Sequence, residues 1–214
     1  LDGLADTHPP SPDVAAVLDK AKAGNYNAPE QAGSTPDDEL TLSFIRGLDA
    51  LSKNQLPQAE AWFQRTLKGA DDFLGAAFYL GAAHAAAGRD KEAIGAWQMA
   101  LLSDNPAAVY PVLVDALLRT GDGRQALDVL EEAPDAWPND NDRLKREALA
   151  QAMIGDYSGA LPKLKDQLDN MHQQDKSLSP DNLDHFRKYV ERHQKMGGPN
   201  RALVETWRKS VLGR

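Results

Sequence analysis

The sequence predicts an all-α chain made of repeated helical hairpins, and three observations carry that reading. Four alanines, Ala59, Ala93, Ala126 and Ala160, are spaced 34, 33 and 34 residues apart. Five residues before each stands a residue suited to a tight turn: Asn54, Gly88, Gly121 and Gly155. Four residues after each stands a bulky one: Phe63, Trp97, Leu130 and Leu164. A period in this range marks one helix-turn-helix unit repeated, and because a lone unit cannot bury its own apolar face, neighbours must stack. Such a chain works by offering a surface, so a groove is expected before a catalytic centre.

The elements follow in order. The opening residues, 1–12, are proline-rich and aperiodic and read as a linker. Ser11-Pro12-Asp13 then starts a helix over about 12–23, with Ser11 as its cap, Pro12 at its first position and an apolar stripe of Val14, Val17, Leu18 and Ala21 before Gly24. A second loop closes this accessory region, 1–34. Thr35-Pro36-Asp37-Asp38-Glu39 repeats the start signal, its acids placed at the positive end of the helix dipole. From residue 35 to 214 the repeat predicts hairpins over about 40–69, 74–103, 108–133, 142–170 and 181–213. The last copy of the turn, Gly197 to Ala202, comes only after a 42-residue step from Ala160. The polar run 172–179 is too short for the helix expected there, so a mobile stretch or a lost helix is expected near Lys176 to Ser179.

Within a hairpin, Gly47 and Ala59, and likewise Gly81 and Ala93, lie twelve apart, which puts small residues where two helices cross closely. The third and fourth copies carry Val114 and Ala148 in place of the first-helix glycine and predict wider crossings.

These residues resemble the tetratricopeptide repeat (TPR): Leu80-Gly81, Ala93, Trp97 and Ala100 match its pattern position by position, and the first copy keeps Gly47, Ala59, Phe63 and Leu67. The resemblance implies a right-handed superhelical array with the first helix of each hairpin on a concave face. The run from Ala76 to Ala83, with Gly95-Ala96-Trp97-Gln98, Trp137-Pro138 and Gly197-Gly198-Pro199, is more narrowly similar to the C-terminal TPR module of bacterial proteins that carry a von Willebrand factor type A-related domain upstream. That similarity implies an exported parent chain, a start at Leu1 left by processing, and an upstream domain as one partner. The ion site of such an upstream domain is not carried over to this chain, and no metal is expected.

Composition excludes several function classes. A net charge of −8, with the basic residues scattered singly, disfavours nucleic acid and anionic membranes as partners. No run approaches the roughly 20 apolar residues that span a bilayer. Without cysteine there is no disulfide, thiolate metal site or cysteine nucleophile, which fits cytosol and periplasm alike. No Gly-x-Ser-x-Gly, phosphate-binding glycine loop or His-Glu-x-x-His is present, so neither catalytic residues nor a cofactor are expected. His84, flanked by alanines, reads as core. His185 and His193 lie eight apart, where metal ligands on a helix stand three or four apart, and read as a solvated face. Asp135, Asp140 and Asp142 with Asn139 and Asn141 lack the glycine and glutamate of a calcium loop and read as a turn with a helix cap. Trp62, Trp97 and Trp207 read as packing residues, and Trp137 as a cover over the third hairpin.

The function expected is therefore a non-catalytic protein-interaction or scaffolding module, with a protein or peptide as partner. A regulatory domain of an enzyme with its active site upstream, or a free-standing cytosolic adaptor, is the alternative. The expected partner groove comprises Phe44, Leu48 and Leu51 in the first hairpin, Phe78 and Ala82 in the second, and Asp115 and Arg119 in the third. Leu48 and Ala82 stand where the chaperone-tail clamp of other TPR modules needs asparagines, so that activity is not implied. An apolar groove beside water needs a cover, either the accessory helix folded back or a partner helix or peptide.

Overall fold

The computed structural model describes residues 8–29, 35–103, 106–132, 137, 140–156, 158–160, 163, 204, 205, 208, 209 and 212. The described residues are helical, with no strand among them. The chain divides into two compact units, Leu1–Val109 and Tyr110–Arg214.

In the first unit α1 spans Pro12–Lys22, α2 Pro36–Ser52, α3 Leu56–Gly69, α4 Gly75–Ala86 and α5 Asp90–Ala100, followed by a 3-10 turn at Pro106–Ala108. Proline opens α1 and α2, where its missing N–H costs nothing. Ser11 stands at the cap of α1, but its side chain makes no cap bond. Its backbone N–H instead donates to Asp38 Oδ1 at 2.7 Å. Asp38 completes a capping box at α2: Thr35 Oγ1 accepts from the Asp38 N–H, and Asp38 Oδ2 accepts from the Thr35 N–H, both at 3.1 Å. One buried carboxylate thus ties the chain before α1 to the start of α2.

α2 packs on α3, α3 on α4 and α4 on α5, so two consecutive hairpins stack, and α1 lies against α2. The core of the stack is aromatic. Phe44 has ring centroids of Phe63, Phe73 and Tyr79 at 5.8, 5.0 and 5.6 Å, and Leu48, Ala59, Ala76, Leu80 and Ala96 complete the cluster. Leu18 and Ala21 of α1 pack with Ile45 in a second, smaller cluster.

In the second unit α6, which begins at the boundary, spans Val109–Thr120, α7 Gly123–Glu132 and α8 Asp140–Met153, and α7 packs on α8. Leu113, Val114, Leu117, Leu130 and Leu149 are fully buried there.

The predicted turn is built four times with the same hydrogen bonds. Asn54, Gly88, Gly121 and Gly155 all have positive φ, at 57°, 75°, 92° and 84°. The next residue in each case donates back five positions: Gln55 to Ala50 O, Arg89 to His84 O, Asp122 to Leu117 O and Asp156 to Gln151 O, at 2.8 to 2.9 Å. That same residue starts the following helix, because its carbonyl accepts from Ala59, Ala93, Ala126 or Ala160 at 3.0 to 3.1 Å. A left-handed residue closes one helix and the next residue caps the following one, so the connection has no slack. Gly24 repeats the arrangement at the end of α1, with φ 86° and Asn25 donating to Lys20 O at 2.9 Å. The expected mobile stretch near Lys176 to Ser179 and the fifth hairpin, apart from a few positions, lie outside the described residues.

Candidate functional site

The first-helix residues expected to line a groove divide into two sets. Phe44 is fully buried and Leu48 is 5% exposed, both inside the aromatic cluster, so these two are core and not an open groove. Helical geometry gives the reason. Gly47 sits at the close crossing with α3, Phe44 stands three residues before it, and Leu48 follows Phe44 by four and so lies on the face of Phe44. Leu51, on the same face, is half-buried against the cluster. In the second hairpin Phe78 and Ala82 occupy the same offsets from Gly81 and are half-buried. Phe78 lies edge-on to Tyr79 at 5.3 Å, and its carbonyl accepts from Trp97 Nε1 at 3.0 Å.

The face of α2 that needs a cover is the one bearing Ile45, and α1 supplies it through Leu18 and Ala21. Tyr26, in the loop after α1, packs against both the aromatic cluster and this smaller one. Burial raises the Tyr79 hydroxyl above its ordinary pKa, and the neighbouring Tyr26 adds to it. α1 thus covers the Ile45 side of α2, whereas Phe44 and Leu48 belong to the aromatic cluster.

The chain before α1 carries a second tie. His8 Nδ1 lies 3.2 Å from Asp37 Oδ1 at the start of α2, and Nε2 lies 3.1 Å from Asp72 Oδ1 in the loop between α3 and α4. A neutral imidazole has one N–H and can donate to only one of them; the imidazolium donates to both. The hydrogen bond to Asp72 accordingly raises the His8 pKa, the bond to Asp37 adds to it, and partial desolvation opposes both.

In the second unit Asp115 is engaged internally. Arg146 grips it in a two-point ion pair, Nε to Oδ1 at 2.6 Å and Nη2 to Oδ2 at 3.0 Å, while Nη1 donates to the Asp142 carbonyl at 3.0 Å. The guanidinium also lies over the Trp137 ring at 5.1 Å. Arg119 is half-buried and lines a cleft of about 470 Å³ with Thr120, Gly121, Met153, Val204, Glu205 and Arg208. Arg208 donates to the Arg119 carbonyl at 2.7 Å and pairs with Glu205 at 2.7 Å, which holds the Glu205 carboxyl below its usual pKa.

His84 is buried, with Nδ1 3.7 Å from Glu60 Oε2, and Glu60 pairs with Arg89. Asp142 pairs with Lys145 at 3.6 Å. His185, His193, Asp135, Asn139 and Trp207 lie outside the described residues. Among the described residues no group of His, Asp and Glu could hold a metal ion, and no helix is long and apolar enough to cross a membrane.

One surface feature escaped the sequence reading. Glu39, Ser43 and Arg46 form one stripe on α2, at i, i+4 and i+7, beside Trp62, Arg65, Lys68 and Gly69 of α3. Arg46 and Arg65 both lie over the Trp62 ring, at 5.2 and 5.6 Å, and Arg65 pairs with Glu39 at 3.1 Å. Beside them opens a cleft of about 310 Å³ lined by Glu39, Leu40, Ser43, Arg65, Lys68 and Gly69. The signal was present in the sequence as basic residues at helical spacing on two helices of one hairpin, but treating the basic residues as scattered hid it.

Compared with models of known protein families and with curated proteins, the chain matches none.

Proposed function

We propose that this chain is a TPR-like helical solenoid acting as a non-catalytic protein-interaction module, carried by a larger exported protein. The observation that carries the reading is the fourfold turn: Asn54, Gly88, Gly121 and Gly155 share one conformation and one hydrogen-bond pattern at the period of the alanines. Within the first unit two such hairpins stack, and stacked hairpins offer a helical face suited to a polypeptide. Support for the narrower reading comes from the resemblance of residues 76–98 and 197–204 to modules that follow a von Willebrand factor type A-related domain.

The test has two arms. Small-angle scattering should yield an elongated particle rather than a sphere of the same mass, and a compact sphere would remove the solenoid. Immobilised protein should capture one partner saturably from an extract of the producing cells, identified by mass spectrometry. Absence of saturable capture up to about millimolar affinity would remove the module reading.

A further inference from the structure

The seam between α2 and α3 is the feature that the core leaves unexplained. Among the described residues it carries the cations Arg46, Arg65 and Lys68 and the carboxylate Glu39, on a chain whose acids outnumber its bases by 32 to 24. Two of the cations are held in place by the ring they share, since a guanidinium over a tryptophan face is attracted by the ring quadrupole and loses freedom before any ligand arrives. Arg46 is further held by donating to the Pro29 carbonyl at 2.8 Å. Ser43 lies at the base of the adjoining cleft.

We propose that this seam docks an extended acidic segment of a partner protein, whose carboxylates pair with the exposed Arg65 and Lys68 beside the Trp62 ring. The proposal rests on the interaction-module reading and names the chemistry of its partner. The cleft, at about 310 Å³, accepts one or two side chains and is small for a whole organic ligand. A docking helix would need a row of apolar anchors, and the cleft wall offers only Leu40. A nucleic acid would need positive charge spread over many phosphates, whereas this patch is local and the net charge of −8 repels a polyanion. A few carboxylates on a strand fit it.

The test is fluorescence anisotropy of the full chain with a labelled peptide of alternating glutamate and glycine, beside a lysine-glycine peptide and a single-stranded oligonucleotide of equal charge. The expected result is saturable binding of the glutamate peptide only. Arg65→Glu with Lys68→Glu should weaken it by about tenfold or more. Lys20→Glu with Lys91→Glu alters the net charge equally on exposed residues elsewhere and should leave it within about twofold. Should the charge reversal fail to fold by circular dichroism, Arg65→Gln with Lys68→Gln serves in its place. Equal weakening by the control pair would show that the overall field, not the seam, binds the peptide. Equal binding of the oligonucleotide would make the site a general anion surface. No binding of the glutamate peptide would also overturn the proposal. None of these three failures touches the module reading, which stands or falls on capture of its own partner.

Discussion

The indole of Trp97 occupies the space that a side chain on Gly81 would need. A Cβ at Gly81 would lie 2.5 Å from Trp97 Nε1 and 2.6 Å from Cδ1. Sixteen positions likewise separate Gly47 from Phe63, and a Cβ on Gly47 would lie 2.5 Å from Phe63 Cε1. In the first two hairpins an aromatic ring of the second helix therefore fills the space beside the first-helix glycine. At the same offset the later copies pair Val114 with Leu130 and Ala148 with Leu164, a larger first partner with a smaller second one.

Gly81→Ala should force the indole off its bond to the Phe78 carbonyl. The expected cost is about 1–3 kcal/mol of overpacking, against about 1 kcal/mol returned by the better helix former. Adding Trp97→Leu copies the pair of the fourth repeat and should cost less than the two single changes together. Urea denaturation of all four proteins measures the coupling, and strict additivity would remove the reciprocal-volume account.

Gly88 separates backbone strain from packing, because a Cβ there would meet nothing within 4 Å. With φ at 75°, Gly88→Ala should cost about 1–2 kcal/mol from the left-handed conformation alone. Asn54 already tolerates that region with φ 57°, so Gly88→Asn should cost less than Gly88→Ala. Thermal melting ranks the three proteins, and an alanine variant as stable as the parent would show that the turn is not held left-handed.

How much of this was legible follows from what kind of signal each feature leaves. The turns were readable because a left-handed residue restricts identity at one position, and Asn54 with the glycines meets that restriction. The faces of α2 were misread because both of its sides are apolar, and hydropathy alone does not tell a side covered by α1 from one covered by α3. Gly47 held the missing information: a glycine at a crossing assigns Phe44 and Leu48 to the crossing face. Gly24 repeats the turn too, but without an alanine five residues later it fell outside the period. The ties made by His8, Asp38, Asp115 and Arg146 join residues far apart in the chain, and pairings of that range leave no local pattern.

Asp115 was expected to face a partner, and its ion pair with Arg146 supplies a test of which role it plays. Removing the carboxylate leaves a half-buried guanidinium with its two strongest bonds unmade. Asp115→Ala should cost about 1–3 kcal/mol by chemical denaturation, and Asp115→Ala with Arg146→Met should recover part of it. A loss of partner capture in Asp115→Ala at unchanged stability would instead return Asp115 to the binding surface.

His8 makes the attachment of the N-terminal segment depend on pH, and the sign follows from its raised pKa. The charged form is favoured in the folded state, so its contribution is fully present below the unfolded value of 6.5 and is lost as pH rises through the higher folded value. The groups facing the ring are Asp37 on α2 and Asp72 in the loop between α3 and α4. The titration in that window is that of the His8 imidazole. His8→Gln should lower stability relative to the parent at pH 6 and match it more closely at pH 8.5, and Asp72→Asn should shrink the difference. A proton NMR titration of the His8 ring should place its midpoint above 6.5, with exchange of the Ser11 amide, corrected for its intrinsic pH dependence, quickening through the same midpoint. A midpoint at or below 6.5, or stability of the two proteins that runs parallel across the range, would mean that the two carboxylates do not hold the ring together in solution.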